Sequence, residues 1–142
     1  MSDEIYAELV ILSDTLTPDQ VNSCLDMKYD KSHLKGDTIQ PSTIRTKRNA
    51  WIIYSRVPRN TPLQAHIEDL LDRVSPIIQK IRNIADQPNV EVEFNCVVST
   101  IDRPAMFFTK EQVAAICKMG ASIDIDLYLQ PRQQAKLKTN PT

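Results

Sequence analysis

The side chains best suited to acid–base or nucleophilic chemistry are two histidines, His33 and His66, and three cysteines. Cys24, Cys96 and Cys117 lie far apart, without a CxxC motif or a Cys/His cluster. Such spacing is not that of a disulfide framework or a zinc site, so we expect small buried cysteines in a reducing cytosol. The sequence therefore predicts no catalytic residue, no metal site and no cofactor.

The stretch SHLKGD, residues 32–37, combines His33 with Lys35 and Gly36. One interpretation is an anion-holding turn, in which the glycine exposes backbone N–H groups and the two side chains add positive charge. The alternative is an ordinary turn in which Gly36 supplies a positive φ. Because no phosphate-binding glycine motif is present, the sequence favours the turn, with a contact surface in second place.

The stretch RTKRNAW, residues 45–51, raises the same question for nucleic acid. Its basic side chains would contact phosphate and Trp51 would stack on a base. However, Trp51 shares a strand face with Ile53, which indicates the core, and the net charge of −1 is far from that of a dedicated nucleic-acid binder. Nucleic acid is possible but not favoured. The candidate anion or ligand contacts from both stretches are His33, Lys35, Gly36, Arg45, Lys47 and Arg48.

Carboxylates alternate with apolar residues in VEVEFNCVVSTI (90–101) and SIDIDLYLQ (122–130). A period of two predicts strands with one apolar face beneath helices and one face in water, as in antiparallel sheets. The second strand should thus bury Ile123, Ile125, Leu127 and Leu129. We call the predicted wet side the acidic sheet face; its members are Tyr6, Glu8, Glu91, Glu93, Asp124, Asp126 and Tyr128.

The acidic sheet face has two interpretations. It is either a surface that meets a basic protein, with tyrosines supplying contact area, or a row of acids that keeps exposed strands soluble and unpaired. Paired carboxylates would also serve acid–base catalysis, but that requires a pocket, and alternation along an open strand indicates solvent instead. An enzyme is not predicted.

Three segments, TPDQ at Thr17, TPLQ at Thr61 and TKEQ at Thr109, place a threonine three residues before a glutamine. This is the spacing of a helix N-terminal capping box. Together with apolar residues at steps of three and four, it predicts helices at about 18–26, 62–86 and 110–119. The middle helix should kink at Pro76, and the last should end at Gly120.

The predicted elements follow the order strand, helix, short strand, strand, long helix, strand, helix, strand. This order predicts an α+β fold: a two-layer sandwich of a mainly antiparallel sheet of 4–5 strands with helices on one face. The first six elements have the order of a ferredoxin-like fold. Residues 1–130 should form a single domain, and 131–142 a flexible polar tail.

Charge is unevenly distributed along the chain. Residues 28–59 contain eight basic and two acidic side chains, whereas the remainder contains nine basic and sixteen acidic ones. Such asymmetry favours a charged partner on either side. The acidic start, MSDEIYAELVIL, matches neither a signal peptide nor a membrane span, so we expect a cytoplasmic protein that does not enter a membrane.

The order of several motifs resembles the bacterial domain-of-unknown-function family 4279. These are LTPDQV at the first helix, SHLKGD after it, NAWIIYS as a tryptophan-bearing strand, HIEDLLDRVSPIIQKI as the amphipathic helix, and MGASIDIDLY near the end. The resemblance covers residues 5–129 and departs after the first helix, where LDMKYDKS replaces a Gly-then-Pro turn. It implies a fold and carries no established activity.

We therefore predict a non-catalytic cytosolic binding protein, monomeric or homodimeric, that engages a macromolecular partner through a charged surface. A specific version is an immunity protein that neutralises a toxin, with the acidic sheet face against a basic domain. The alternative is an anion or nucleic-acid binding module that uses the basic segment 28–59, and a small enzyme ranks below both.

Overall fold

The computed structural model describes residues 3–38 and 46–131. Arg45 and the part of the predicted tail beyond Pro131 lie outside the described residues. The elements in chain order are β1 (Glu4–Ser13), α1 (Pro18–Leu25), β2 (Lys31–His33), β3 (Asn49–Tyr54), α2 (Leu63–Val74), a 3₁₀ turn (Ser75–Ile77), α3 (Ile78–Ala85), β4 (Val90–Thr100), α4 (Lys110–Lys118) and β5 (Ala121–Leu129). The α+β class is as predicted.

The strands form one five-stranded sheet in the order β2-β3-β1-β4-β5. β1 pairs antiparallel with β3 and β4, β2 pairs antiparallel with β3, and β4 pairs parallel with β5. The sheet is therefore mixed, and the prediction of a mainly antiparallel sheet needs this correction. The reason is the connection: a strand–helix–strand crossover through α4 returns the chain to the same end of the sheet, which makes β4 and β5 parallel.

All four α-helices pack on one side of the sheet. The central strand β1 sends Ile5, Ala7, Leu9 and Ile11 to that side, where they are between 0 and 5% exposed. They belong to one core cluster with residues of every α-helix. Trp51 is buried in this cluster, as predicted, and its Nε1 donates a hydrogen bond to an α1 side chain.

Two of the three predicted capping boxes are confirmed. The Thr17 and Thr109 hydroxyls accept from the backbone N–H groups of Gln20 and Gln112, and both glutamines reach back to the threonine N–H. The box at Thr61 is wrong, because α2 begins two residues later with Pro62 as its N-cap and has no side-chain cap. The glutamine of that segment instead hydrogen-bonds a distant loop carbonyl and the Gln112 side chain.

The long predicted helix is divided by the 3₁₀ turn at Ser75–Ile77, which contains Pro76. The apolar stripe continues across this interruption, with Val74 buried before it and Ile81 after it. The predicted kink therefore takes the form of two helices joined by a tighter turn. Within the described residues, no helix has the length and apolar character needed to cross a membrane.

Gly120 follows α4 with φ of +75°, which confirms the predicted left-handed end of that helix. A β-carbon at this position would also lie 2.9 Å from the Ala85 Cβ. The glycine therefore serves two purposes: it makes the turn into β5 and lets α4 end close against α3.

Two predictions about burial are wrong. Cys24 and Cys117 are exposed, and only Cys96 is buried, where burial raises its pKa to about 12. The apolar residues of β5 are also not covered: Ile123, Ile125, Leu127 and Leu129 are 38, 45, 42 and 58% exposed. The core reaches β5 at Ala121 and goes no further along it, because β5 is the last strand of the sheet.

The capping boxes give a test with an internal control. Thr17→Ala and Thr109→Ala should each lower the free energy of unfolding by about 1 kcal/mol, because each removes the acceptor for a helix N-terminal N–H. Thr61→Ala should change it by less than about 0.5 kcal/mol, since that hydroxyl caps no helix. Urea denaturation of the three variants measures the difference; equal losses would contradict the assignment.

Candidate binding face of the sheet

In the part of the chain that the structure describes, the side of the sheet opposite the helices is not covered by any helix. We call it the open face. The strand register places side chains on it in rows across the sheet: Tyr54, Glu8, Asn95 and Asp124 form one such row. The next row contains Tyr6, Val97 and Asp126, with Val97 in the middle.

Every residue of the acidic sheet face lies on the open face, because the register aligns the alternate residues of β1, β4 and β5. Glu91 forms an ion pair with Arg48 at 3.1 Å. By contrast, four carboxylates form no ion pair within the described part of the chain: Glu8, Glu93, Asp124 and Asp126. We call these the four unpaired carboxylates. They give the β1–β4–β5 half of the open face a negative charge that no ion pair among the described residues neutralises.

Glu8 is at the centre of the open face and is half-buried. Burial raises the pKa of its carboxyl above the ordinary value, and nearby Asp126 and Glu93 raise it further. The Asn95 Nδ2 donates a hydrogen bond to Glu8 at 3.3 Å, and this bond and the charge of Lys31 act in the opposite direction. The Asn95 Oδ1 is buried without a hydrogen-bond partner in the described chain. The carboxylate is thus held in surroundings that disfavour its charge.

An arginine and two tyrosines close one end of this face. The Arg59 guanidinium lies 4.0 Å from the centre of the Tyr6 ring and 2.7 Å from the Glu4 carboxylate. Tyr54 packs edge-on against Tyr6 with ring centres 5.8 Å apart. The aromatic side chains are thus held in place by a cation–π contact and present fixed surface beside Glu8.

The other end of the open face contains an open depression of about 370 Å³. Its apolar floor is formed by Val10, Ala50 and Ile52, which are 6, 6 and 8% exposed. Its full lining is Glu8, Val10, Leu12, His33, Thr46, Lys47, Arg48, Ala50, Ile52 and Asn95. The sequence of β3 alternates only weakly because the strand is buried on both sides of the sheet, so this apolar floor was not predicted.

The SHLKGD segment is an ordinary turn by its hydrogen bonds. The backbone N–H of Leu34 donates to Asp37 Oδ2, that of Lys35 to Asn49 Oδ1, and that of Gly36 to the Thr46 carbonyl. The Asp37 N–H donates to the Leu34 carbonyl. These amides are already used, and Gly36 has φ of +95°. Any anion contact here would have to come from side chains.

The side chains of the candidate anion set are divided. His33, Lys47 and Arg48 line the depression, whereas Lys35 and Gly36 do not. Arg48 is held by Asp14 and Glu91 and also donates to the Asn89 carbonyl at 2.7 Å. Arg45 lies outside the described residues. The structure thus brings three basic side chains to one end of the open face, one of them already engaged.

The residues best suited to catalysis have separate surroundings in the structure. His66 is 0% exposed, and its Nδ1 lies 2.7 Å from the Ser55 Oγ, which accepts from the Ala7 N–H. Burial lowers the pKa of His66. Cys24 is on α1 and is not among the residues that line the depression with His33. No group of three His, Cys, Asp or Glu residues suited to a metal ion occurs in the described ranges.

A family model described as "Domain of unknown function (DUF4279)" matches residues 3–130. The chain belongs to this family. The match covers every strand and helix described above, and it confirms the family suggested by the order of sequence motifs. No curated protein and no solved structure matches the chain.

Sequence reasoning missed three features of this face: Arg59 on Tyr6, the Asn95 contact with Glu8, and the exposed apolar side of β5. The first two depend on cross-strand and loop geometry, for which the sequence contains no signal. The third depends on the place of β5 in the strand order, which the sequence does not state either. The exposed Leu127 and Leu129 follow from that position.

Glu8→Gln should raise the free energy of unfolding at pH 7 by about 0.5–1 kcal/mol. The glutamine removes a desolvated charge, and its amide can donate to the orphan Asn95 Oδ1. Because the pKa of Glu8 is raised in the folded protein, this carboxyl costs no stability below the unfolded pKa of 4.5. The free energy of unfolding of the wild type falls as the pH rises through the folded pKa. The gain should therefore shrink towards pH 4.

Urea denaturation at pH 7 and pH 4 measures this difference. Asp124→Asn is the matched control, because Asp124 is exposed on the same face. It should change stability by less than about 0.5 kcal/mol at either pH. A Glu8→Gln variant that is less stable than wild type at pH 7 would show that the carboxylate is a structural anchor.

Proposed function

We propose that this chain is a non-catalytic binding protein that engages a basic region of another macromolecule through the acidic sheet face. The observation that carries the proposal is the set of four unpaired carboxylates on one uncovered side of the sheet. Isolated surface acids are common, but here one of them, Glu8, keeps its carboxyl in surroundings that raise its pKa. Perturbed groups of this kind are concentrated at functional sites.

The chemistry of the face favours a protein partner with Lys or Arg side chains. Carboxylates that are unneutralised in the free protein attract cations over a distance and speed encounter. Tyr6 is fixed by Arg59, and Tyr128 is 58% exposed, so aromatic area is available beside the charges. Tyrosine and arginine are enriched among residues that contribute most to protein–protein binding.

A more specific version of the proposal is an immunity protein of a bacterial cytoplasm that neutralises a toxin by covering its basic surface. It is supported by the size of the chain, its three cysteines without a disulfide and its charge layout. We also infer a ferredoxin-like relationship for the first six elements, supported by their chain order and the strand order β2-β3-β1-β4.

The acidic sheet face can be tested by charge reversal with a matched control. Asp124→Lys/Asp126→Lys changes the open face, and Glu68→Lys/Asp72→Lys makes the same net change on α2. Binding to immobilised poly-lysine should fall by about tenfold or more for the first variant and change little for the second. Equal losses would mean that only net charge matters and would contradict the proposal.

The same three proteins serve as baits in the organism that makes this protein. A genuine partner should be retained by wild type and by the α2 variant and be lost by the open-face variant. A stable partner retained by all three would remove the acidic sheet face from its binding.

The depression favours a second candidate, a site for a small molecule. Its volume of about 370 Å³ is within the range of small-ligand sites, and it joins an apolar floor to His33 and Lys47. A ligand with an apolar body and one anionic group fits this lining.

Titration with benzoate, followed by amide chemical shifts, tests the second candidate. Shifts should concentrate at Val10, Ala50 and Ile52, and Lys47→Ala should weaken binding by about tenfold. Lys35→Ala is the control, because Lys35 does not line the depression. Shifts elsewhere, or equal binding by both variants, would exclude the site.

A further inference from the structure

β5 is the outermost strand of the sheet, and within the described part of the chain it pairs only with β4. The pairing is continuous from Val92–Ala121 to Thr100–Leu129, without a bulge. β5 also contains no proline. Edge strands of this length are normally blocked by a bulge, by proline, by charged side chains or by another element, because their unpaired backbone is a template for a further strand. β5 has a nine-residue edge without a bulge or a proline, and its only charged residues are Asp124 and Asp126.

The direction of the backbone groups that β5 does not share with β4 follows from one hydrogen bond. The Gln130 N–H donates to the Thr100 carbonyl at 2.7 Å, so residue 130 directs its amide towards β4. Successive residues of a strand direct their backbone groups to opposite edges. The N–H and C=O groups of Ile123, Ile125 and Leu127 therefore point outward, away from β4.

The two sides of this edge differ in chemistry. On the helix side, Ile125 and Leu127 are 45 and 42% exposed, so an added strand could bury apolar side chains beside them. On the open face, Asp124 and Asp126 have no ion pair in the described chain. Glu93 of β4, opposite Ser122, lies on the same face. An added strand would gain most from apolar residues alternating with Lys or Arg.

Self-pairing of two copies of this chain about the centre of the edge is unfavourable. Antiparallel self-pairing about an axis at Ile125 would place Asp124 directly opposite Asp126 of the other copy. A two-fold axis at Asp124 or Asp126 would place that aspartate opposite the same residue of the other copy. Like charges directly opposite each other destabilise a strand pair, so these central registers are disfavoured.

We propose that β5 accepts an extended segment of a partner protein as an additional strand. The segment alternates apolar residues, which pack beside Ile125 and Leu127, with Lys or Arg, which pair with Asp124 and Asp126. This deepens the proposed function and rests on it, because it says how the acidic sheet face and the neighbouring edge recognise one partner. Backbone hydrogen bonds supply affinity, and the alternating side chains supply specificity.

The test uses a fluorescent peptide of alternating lysine and valine, about eight residues long, at low salt. Two derivatives have N-methyl groups either on all valine amides or on all lysine amides. A strand added to an edge uses only one side of its backbone, so one derivative should lose binding by about tenfold or more and the other should retain it. Loss by the valine derivative indicates antiparallel addition, and loss by the lysine derivative parallel addition.

Two protein variants complete the experiment. Ile125→Pro removes an outward N–H without removing a hydrogen bond to β4, and proline is tolerated at that kind of edge position. It should weaken binding of the parent peptide by about tenfold, with Ile125→Thr as the control that keeps the N–H. The methylated peptides need no mutation and decide the matter if the proline variant does not fold.

Failure of this inference can be distinguished from failure of the proposed function. If both methylated peptides bind alike and Asp124→Lys/Asp126→Lys still abolishes binding, the acidic sheet face holds and strand addition is overturned. If that charge reversal leaves peptide binding unchanged, the proposed function fails. A wild-type dimer that Ile125→Pro dissociates would place a second copy on the edge and overturn the inference.

Discussion

Burial of one side of the sheet beneath the helices is the constraint on which the rest of this structure depends. Leu9 and Phe94 are directly opposite each other in the β1–β4 register, and both are fully buried on the helix side. Because side chains alternate along a strand, this pairing also fixes Glu8 opposite Asn95 on the open face. A shift by one residue would move carboxylates into the core, so the same apolar contacts that stabilise the fold also assemble the acidic sheet face.

Glu8 shows how such a face differs from a surface that is merely soluble. A side chain placed there for solubility would be well hydrated, whereas this carboxylate is half-buried, beside other acids and an amide oxygen without a partner. Arg59 is close by, yet it is engaged with Tyr6 and Glu4. The protein thus keeps a carboxylate whose charge is destabilised by burial and by neighbouring acids, and Asn95 and Lys31 offset this only in part.

β5 joins two properties that the other strands separate. On β1, β3 and β4 the side chains that face the helices are buried, but along β5 the residues on both sides are accessible beyond Ala121. Its position at the edge explains this directly, since α4 connects β4 to β5 and no further strand follows within the described chain. β5 therefore presents an unpaired backbone edge, exposed apolar side chains and carboxylates on one strand.

The sequence alone predicted the elements, the α+β class, the capping boxes at Thr17 and Thr109, the end of α4 at Gly120 and the buried Trp51. These depend on local geometry and on the alternation of apolar residues, which a single chain records directly. It also predicted which alternate residues share a strand face, because that follows from the period of two.

Pairing and coverage were decided by the tertiary structure. The alternation of apolar and polar residues does not show whether two neighbouring strands are parallel or whether a helix covers a given strand. These properties, and the use of the capping signal at Thr61, depend on residues distant in sequence. Hence the apolar side of β5 was expected beneath helices in a mainly antiparallel sheet, and it is instead exposed on a strand that pairs parallel with β4. The Glu8–Asn95 contact, the Arg59–Tyr6 stack and the apolar depression have the same origin: they exist only where separate strands are brought side by side.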